Sequence, residues 1–382
     1  MKICLHNPAH GFSQGDNDGE QTTISGRKPA GGGGWLAGKT QAGGAPAAAD
    51  GRIMPDEGAP HAATWMAFGP SLSVWGARLL PEVRRDLARV ASAIAAFEPV
   101  RMLARENELD LAGRLCGSGV ELVAQPLDDL WIRDSGPVFV KNGAGGMAAV
   151  DFNFNGWGGK QAHGRDARVA GFVAGRAGAL PLRSGLVLEG GGIEVDGEGT
   201  AIITESCVLN ANRNPGWSKA QCEGELRRVL GVEKVIWLPG VAGRDITDGH
   251  TDFYARFARP GVVVAGLETD PASYDYQVTR RHLAMLRQAR DARGRKLEVV
   301  AIPGPDRVRP EYEDDEMAAG YINFYVCNGA VIAPEFGDAR ADRNARSALR
   351  ELFPEREVVQ LNIDAIAAGG GGIHCATQQQ PA

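Results

Sequence analysis

No two of the six cysteines, at 4, 116, 207, 222, 327 and 375, form a CxxC pair. Their spacing matches no zinc-binding pattern. A chain of 382 residues can bury a core without disulfides. A reducing cytoplasm is therefore the simpler setting, with export as the alternative if the N-terminus is a degraded or mis-assigned leader. Long basic runs are missing too, and the net charge is −6. That argues against nucleic acid or an anionic membrane surface as partner. No stretch approaches the roughly 18 apolar residues of a membrane span. With 43% hydrophobic and 23% charged residues the composition is that of a globular protein.

Residues 1–50 have little to bury. "SQGDNDGEQTTISGRKPAGGGGWLAGKTQAGGAPAAAD" is polar and rich in Gly and Ala, the composition of a disordered leader. It lacks the apolar core of a signal peptide. Residues 51–382 read as a single catalytic domain.

Helix signals stand out in that domain. In "PEVRRDLARVASAIAAF", Val83, Leu87, Val90, Ala91, Ile94 and Phe97 share one face, and Pro81 suits a first turn. "ENELDLAGRLCGSG", "WSKAQCEGELRRVLG", "YDYQVTRRHLAMLRQAR" and "ADRNARSALRELF" predict further helices. Between them lie four hairpins, turning at Asn142-Gly143, Asp196-Gly197, Pro260-Gly261 and Asn328-Gly329. Single strands follow the helices in "KVIWLP", "LEVVAIP" and "EVVQLNI".

The turns recur at intervals of roughly sixty residues, which suggests a repeat architecture. A fifth unit forms if "ATWMAFG" pairs with "IHCATQQQ" from the other end of the domain. The predicted fold is α/β, a five-bladed propeller of strand-hairpin-helix units. Closing the ring with strands from both ends hides the sheet edges. An open parallel sheet is disfavoured, because it needs a helix between every strand pair.

Each unit carries a polar cluster beside glycine at the start of its hairpin: "DDLWIRDSGP", "LEGGGIE", "DITDGHTDF" and "GGGGIHC". In a closed ring these converge on the axis. Read as a strand, "GHTDF" puts His250 and Asp252 on one face, while His374 and Cys375 in "IHC" point apart. His250 is then the better base for Cys375. A single histidine or cysteine is most often structural; acids, glycines, histidine and thiol together point to chemistry. A free thiol ionises near about 8.5, and only the thiolate attacks. Acids beside it oppose ionisation, so such a pocket requires a cation. A guanidinium fits, being planar, always charged and matched to carboxylates.

Of the remaining residues, Cys116, Cys207, Cys222 and Cys327 read as packed thiols. Asp128 and Asp129 read as solvated loop acids. "NGWGGK" reads as a loop over the pocket, with Trp157 as a candidate lid. "GAGG" at 143–146 is a turn and not a phosphate loop.

The motifs "MPDEGAPHAATWMAFG", "WIRDSGP", "NGWGGK", "LEGGGIE", "DGHTDF", "APEFGD" and "GGGGIHCATQQQP" resemble the agmatine deiminase and bacterial-type peptidylarginine deiminase family. That family belongs to the guanidine-modifying superfamily with a five-bladed α/β propeller. The resemblance spans about residues 52–381. It implies Cys375 as nucleophile, forming an amidino-thioether, and His250 as general acid and base. It implies that Asp134 and Asp252 clamp the guanidinium, and that Glu189 pairs with His250 or a substrate nitrogen. It further implies that Trp131 lines the pocket and that Gly371 and Gly372 let backbone close over substrate. No metal and no organic cofactor is required. The implied partner is a small cationic guanidino substrate, and a homo-oligomer is left open.

Two positions depart from the family pattern: Phe253 follows His-x-Asp where asparagine is usual, and Gly372 stands where many members carry asparagine. The choice among agmatine, arginine, guanidino acids and peptidylarginine therefore stays open. Arg133, Arg165, Arg213 and Arg244 are candidate partners for a substrate carboxylate. Alternatives to hydrolysis are amidino transfer to an amine and a non-catalytic propeller serving as a binding module.

Overall fold

A computed structural model describes residues 51–143, 145–314 and 317–382. The leader expected over residues 1–50 and Cys4 lie outside them. Among the described residues sixteen strands form five separate sheets, consistent with the five units expected.

The first sheet holds β1 (His61–Phe68), β2 (Val100–Ala104) and β3 (Val120–Ala124), all parallel. The next four repeat one plan, an antiparallel hairpin and then a parallel strand. They are β4 (Val138–Lys141), β5 (Met147–Asp151) and β6 (Leu180–Arg183); β7 (Glu194–Val195), β8 (Thr200–Thr204) and β9 (Lys234–Leu238); β10 (Ala255–Arg259), β11 (Val262–Leu267) and β12 (Glu298–Pro303); and β13 (Tyr325–Cys327), β14 (Ala330–Glu335) and β15 (Glu357–Asn362). β16 (Gln378–Pro381) then returns to β1 and pairs antiparallel, Ala63 opposite Gln380 and Trp65 opposite Gln378. The first blade is thus built from both ends of the domain. The closing strand is shorter than "IHCATQQQ", since residues 373–376 form a turn.

Every parallel pair needs a crossover, and the amphipathic segments supply it. The helix Lys219–Leu230 joins β8 to β9. Ser218 caps it by accepting from the Gln221 N–H, Gln221 reaches back to the Ser218 backbone, and Gly231 ends it at φ 71°. Asp275–Gln288 and Ala339–Leu352 do the same for the last two blades. The first helix differs from expectation. It runs Leu72–Ala95, with a break in helical geometry at Gly76 (φ 64°), so Pro81 sits inside it and not at its start. Its apolar face nonetheless buries Val83, Leu87, Val90 and Ile94 as predicted.

The blades are also joined by polar contacts. At the last hairpin Asn328 accepts from the His61 N–H (3.0 Å) and donates to the His61 carbonyl (2.9 Å), tying the fifth blade to the first. The buried Glu57 receives Arg256 at 2.8 Å and Arg133 at 3.1 Å, and Arg256 also meets Glu194 at 2.8 Å. Burial alone would raise the Glu57 carboxyl. Arg256, His374 and Arg133 outweigh it and hold Glu57 well below the usual carboxylate range. All five cysteines among the described residues are free and buried, and no helix among them is long and apolar enough to cross a membrane.

Candidate active site

The predicted residues come from four blades and meet where the hairpins begin. Asp134 lies on the short helix Ile132–Ser135 that leads into β4. Glu189 precedes the turn Gly190–Gly192 before β7. His250 precedes, and Asp252 lies within, the single turn Thr251–Phe253 before β10. Cys375 sits in the turn between Gly372 and β16. The strand geometry expected for "HTD" and "IHC" is therefore incorrect, because both are tight turns. His250 and Asp252 nonetheless face one region. A Cβ placed on Gly191 would fall 2.7 Å from His250 Nδ1, 3.0 Å from Asp134 Oδ1 and 3.2 Å from Asp252 Oδ2. Glycine at 191 is what lets these three groups crowd one strand of backbone.

His250 is gripped at both ring nitrogens. Nε2 lies 3.2 Å from Glu189 Oε2, and Nδ1 lies 3.8 Å from Asp134 Oδ1. Burial disfavours its charge, but Asp134, the Cys207 sulfur and Glu189 outweigh burial and raise the imidazole well above its ordinary value. Glu189 is itself fixed by Arg213, whose Nε is 2.8 Å from Oε1 and 3.0 Å from Oε2. Burial is opposed there by Arg213 and then His250, which lower the carboxyl. Asp134 accepts from Trp157 Nε1 at 2.9 Å and from the Gly191 N–H at 3.1 Å. Burial dominates at Asp134 and raises its carboxyl.

Cys375 Sγ stands 3.4 Å from Asp252 Oδ2. Burial, then Asp252, then Asp134 push its thiol well above the ordinary value. Asp252 Oδ2 also takes His374 Nδ1 at 2.7 Å, and His374 Nε2 meets Glu57 at 2.9 Å. His374 is thus spanned by two carboxylates. With that support Asp252 stays below the ordinary carboxylate range in spite of burial. Its other oxygen, Oδ1, is buried with no hydrogen-bond partner.

Tryptophan and glycine shape the walls. The ring of Trp131 presses on Gly371, where a Cβ would fall 2.2 Å from it. Trp75 does the same at Gly369 (2.1 Å) and lies 5.8 Å from the Trp131 ring. Trp157, held at φ 56° in "NGWGGK", bonds Asp134 and packs edge-on against Phe154. Phe253 is buried in the same cluster as Trp131, Trp157 and Cys375.

Several residues were missed or misread from sequence. Asn323 lies beside the nucleophile: Nδ2 is 3.4 Å from Cys375 Sγ, and Oδ1 accepts from the His374 N–H at 3.0 Å. It occupies the space a side chain at 372 would need, since a Cβ there would fall 2.3 Å from Asn323 Oδ1. Glu57 lies within "MPDEGAP" but is given no role by that motif, and Arg256 carries no motif; both are recognisable through their partners. Asp129 is not solvated; it is buried and accepts from Trp75 Nε1 (2.7 Å) and Gln161 Nε2 (2.9 Å). Arg133 and Arg213 are occupied within the protein, Arg213 also by Asp248 and the Thr247 carbonyl. Arg165 lies 3.7 Å from Asp128, and Arg244 stacks over Tyr274. Cys116 and Cys222 are pushed up to about 11, and Cys327 to about 12, chiefly by burial.

Five sheets place these acids, the imidazole and the thiol together, and the chain's relatives mark it as a guanidine-modifying hydrolase of C–N bonds. The chain belongs to the Porphyromonas-type peptidyl-arginine deiminase family, which matches residues 53–381. It is similar to the agmatine deiminase of Stutzerimonas stutzeri, with 42% identity over 87% of this chain and 96% of that one. It is likewise similar to the agmatine deiminase of Pseudomonas aeruginosa, with 41% identity over 87% and 96% of the two chains. Among solved structures, the agmatine deiminase of Enterococcus faecalis superposes with a TM-score of 0.82 at 32% identity, over 90% of this chain and 99% of that one.

Proposed function

We propose that this protein is a guanidine deiminase whose substrate is agmatine or a closely related small guanidino compound, with Cys375 as nucleophile. The observation that carries the reading is the pairing of a buried thiol with two carboxylates, one of whose oxygens, Asp252 Oδ1, has no partner. A planar cation bound between Asp134 and Asp252 satisfies that oxygen. It also balances the charges that keep the thiol protonated, so substrate entry favours the thiolate.

The steps follow. The Cys375 thiolate forms a bond to the central guanidinium carbon, held in line by the two acids. The carbon–nitrogen bond breaks, and the leaving nitrogen takes the proton of the His250 imidazolium and departs as ammonia. Neutral His250, still oriented by Glu189, then removes a proton from water as its oxygen attacks the amidino-thioether. The carbon–sulfur bond breaks as the hydroxyl proton passes to the departing sulfur, giving the ureido product and the Cys375 thiol. Asn323 Nδ2 is positioned to donate to that sulfur. The free cysteines support a cytoplasmic setting.

Ammonia release from agmatine, free arginine, guanidinoacetate, guanidinobutyrate and a peptidylarginine tests the reading, with Cys375→Ala alongside. The expected result is release from agmatine or one small analogue by the unsubstituted protein only. No release from any of them by freshly reduced protein, with or without an added amine, overturns it.

A further inference from the structure

Behind the site lies a second thiol that the deiminase chemistry does not use. Cys207 Sγ is 3.6 Å from Glu189 Oε2, on the same oxygen that His250 Nε2 approaches at 3.2 Å. The three ligand atoms lie within 4.8 Å of one another, and all three residues are buried. Zinc bonds of about 2.3 Å to sulfur and about 2.0 Å to nitrogen and oxygen set tetrahedral ligand atoms roughly 3.2 to 3.6 Å apart. The Glu189 distances to Cys207 and His250 are of that size.

The surroundings of the three fit a metal. Glu189 holds Arg213 Nε through Oε1 at 2.8 Å and through Oε2 at 3.0 Å; a cation takes Oε2 while the shorter Oε1 contact is kept. His250 has Asp134 beside its other nitrogen at 3.8 Å; a carboxylate at that position commonly orients a metal-bound imidazole. Gly192 brings the backbone close, with its Cβ position 3.5 Å from Cys207 Sγ and 3.6 Å from His250 Cδ2. Coordination uses the neutral imidazole and the thiolate, so any proton on either ligand atom leaves as the metal binds.

We propose, resting on the deiminase reading, that Cys207, His250 and Glu189 form an inhibitory site for a thiolate-preferring divalent cation such as Zn2+. Bound there, the metal holds the His250 lone pair that the hydrolytic step requires. Calcium and magnesium, which take oxygen ligands, do not fit the set. The three ligands come from separate segments of chain, which is why cysteine spacing gives no sign of them.

The test uses the full chain in two independent readouts. In buffered Zn2+, ammonia release by the unsubstituted enzyme falls, while equal Ca2+ or Mg2+ leaves it intact. Cys207→Ser raises the half-inhibiting zinc concentration more than tenfold. With Co2+ as probe, a thiolate-to-cobalt charge-transfer band appears in the unsubstituted protein and in Cys375→Ala, and is lost in Cys207→Ser. The Cys375→Ala spectrum decides even if Cys207 variants fold poorly. A band that survives in Cys207→Ser and vanishes in Cys375→Ala puts the metal on the nucleophile and overturns the proposal, as does absence of any band. If no guanidine releases ammonia but the cobalt band behaves as described, the site stands and the deiminase reading falls.

Discussion

At Cys375 the protein places its nucleophile where it is least able to ionise alone. Burial, Asp252 and Asp134 all oppose the thiolate, so reactivity depends on the charge of whatever enters. An amidinium-bearing alkylating agent therefore inactivates the enzyme much faster than a neutral haloacetamide of similar intrinsic reactivity. Asp252→Asn shrinks that preference by at least tenfold, read from inactivation rates at fixed pH. Equal rates for both agents in the unsubstituted protein would show that the carboxylates do not control the thiol. Asn323 is a reminder of what single residues conceal. "INFYV" reads as strand, and only the folded chain brings this amide to the sulfur.

At the scale of elements, the loop carrying Cys375 is set by its glycines. Gly369 and Gly371 each meet a tryptophan ring closer than any Cβ tolerates, so the loop and the walls are one packed unit. Gly371→Ala must displace Trp131, an overpacking cost of about 1–3 kcal/mol. The measured outcome is a rise in KM and a fall in kcat/KM of at least tenfold, with little loss of secondary structure by circular dichroism. The hairpins were legible because each pairs a turn signal with flanking β-branched residues. The crossover helices were legible from their apolar faces and from stops such as Gly231. The tight turns at His250 and Cys375 were not, since alternation over two or three residues cannot distinguish a strand from a turn. The partners of Arg133 and Arg213 were hidden for another reason: Glu57 lies 76 residues from Arg133 and Glu189 lies 24 from Arg213, and no local pattern records contacts at such separations.

For the whole molecule, buried ion pairs join the segments that surround the site. Glu57 lies between Arg133, Arg256 and His374, so Glu57→Ala leaves two buried guanidinium groups without their shared carboxylate. Removing one partner of such a network costs about 3–5 kcal/mol, to be read as a lowered midpoint in urea unfolding. A loss below about 1 kcal/mol would mean that water or a neighbouring acid takes its place. The pairing of β1 with β16 has a consequence of another kind. Trp65 bonds Gln380 across 315 residues of chain, and Cys375 stands just before that closing strand. A growing polypeptide therefore displays its acids and imidazole long before the thiol that completes them. A chain cut short before Cys375 would carry Asp134, Glu189, His250 and Asp252 without the thiol that stands beside them.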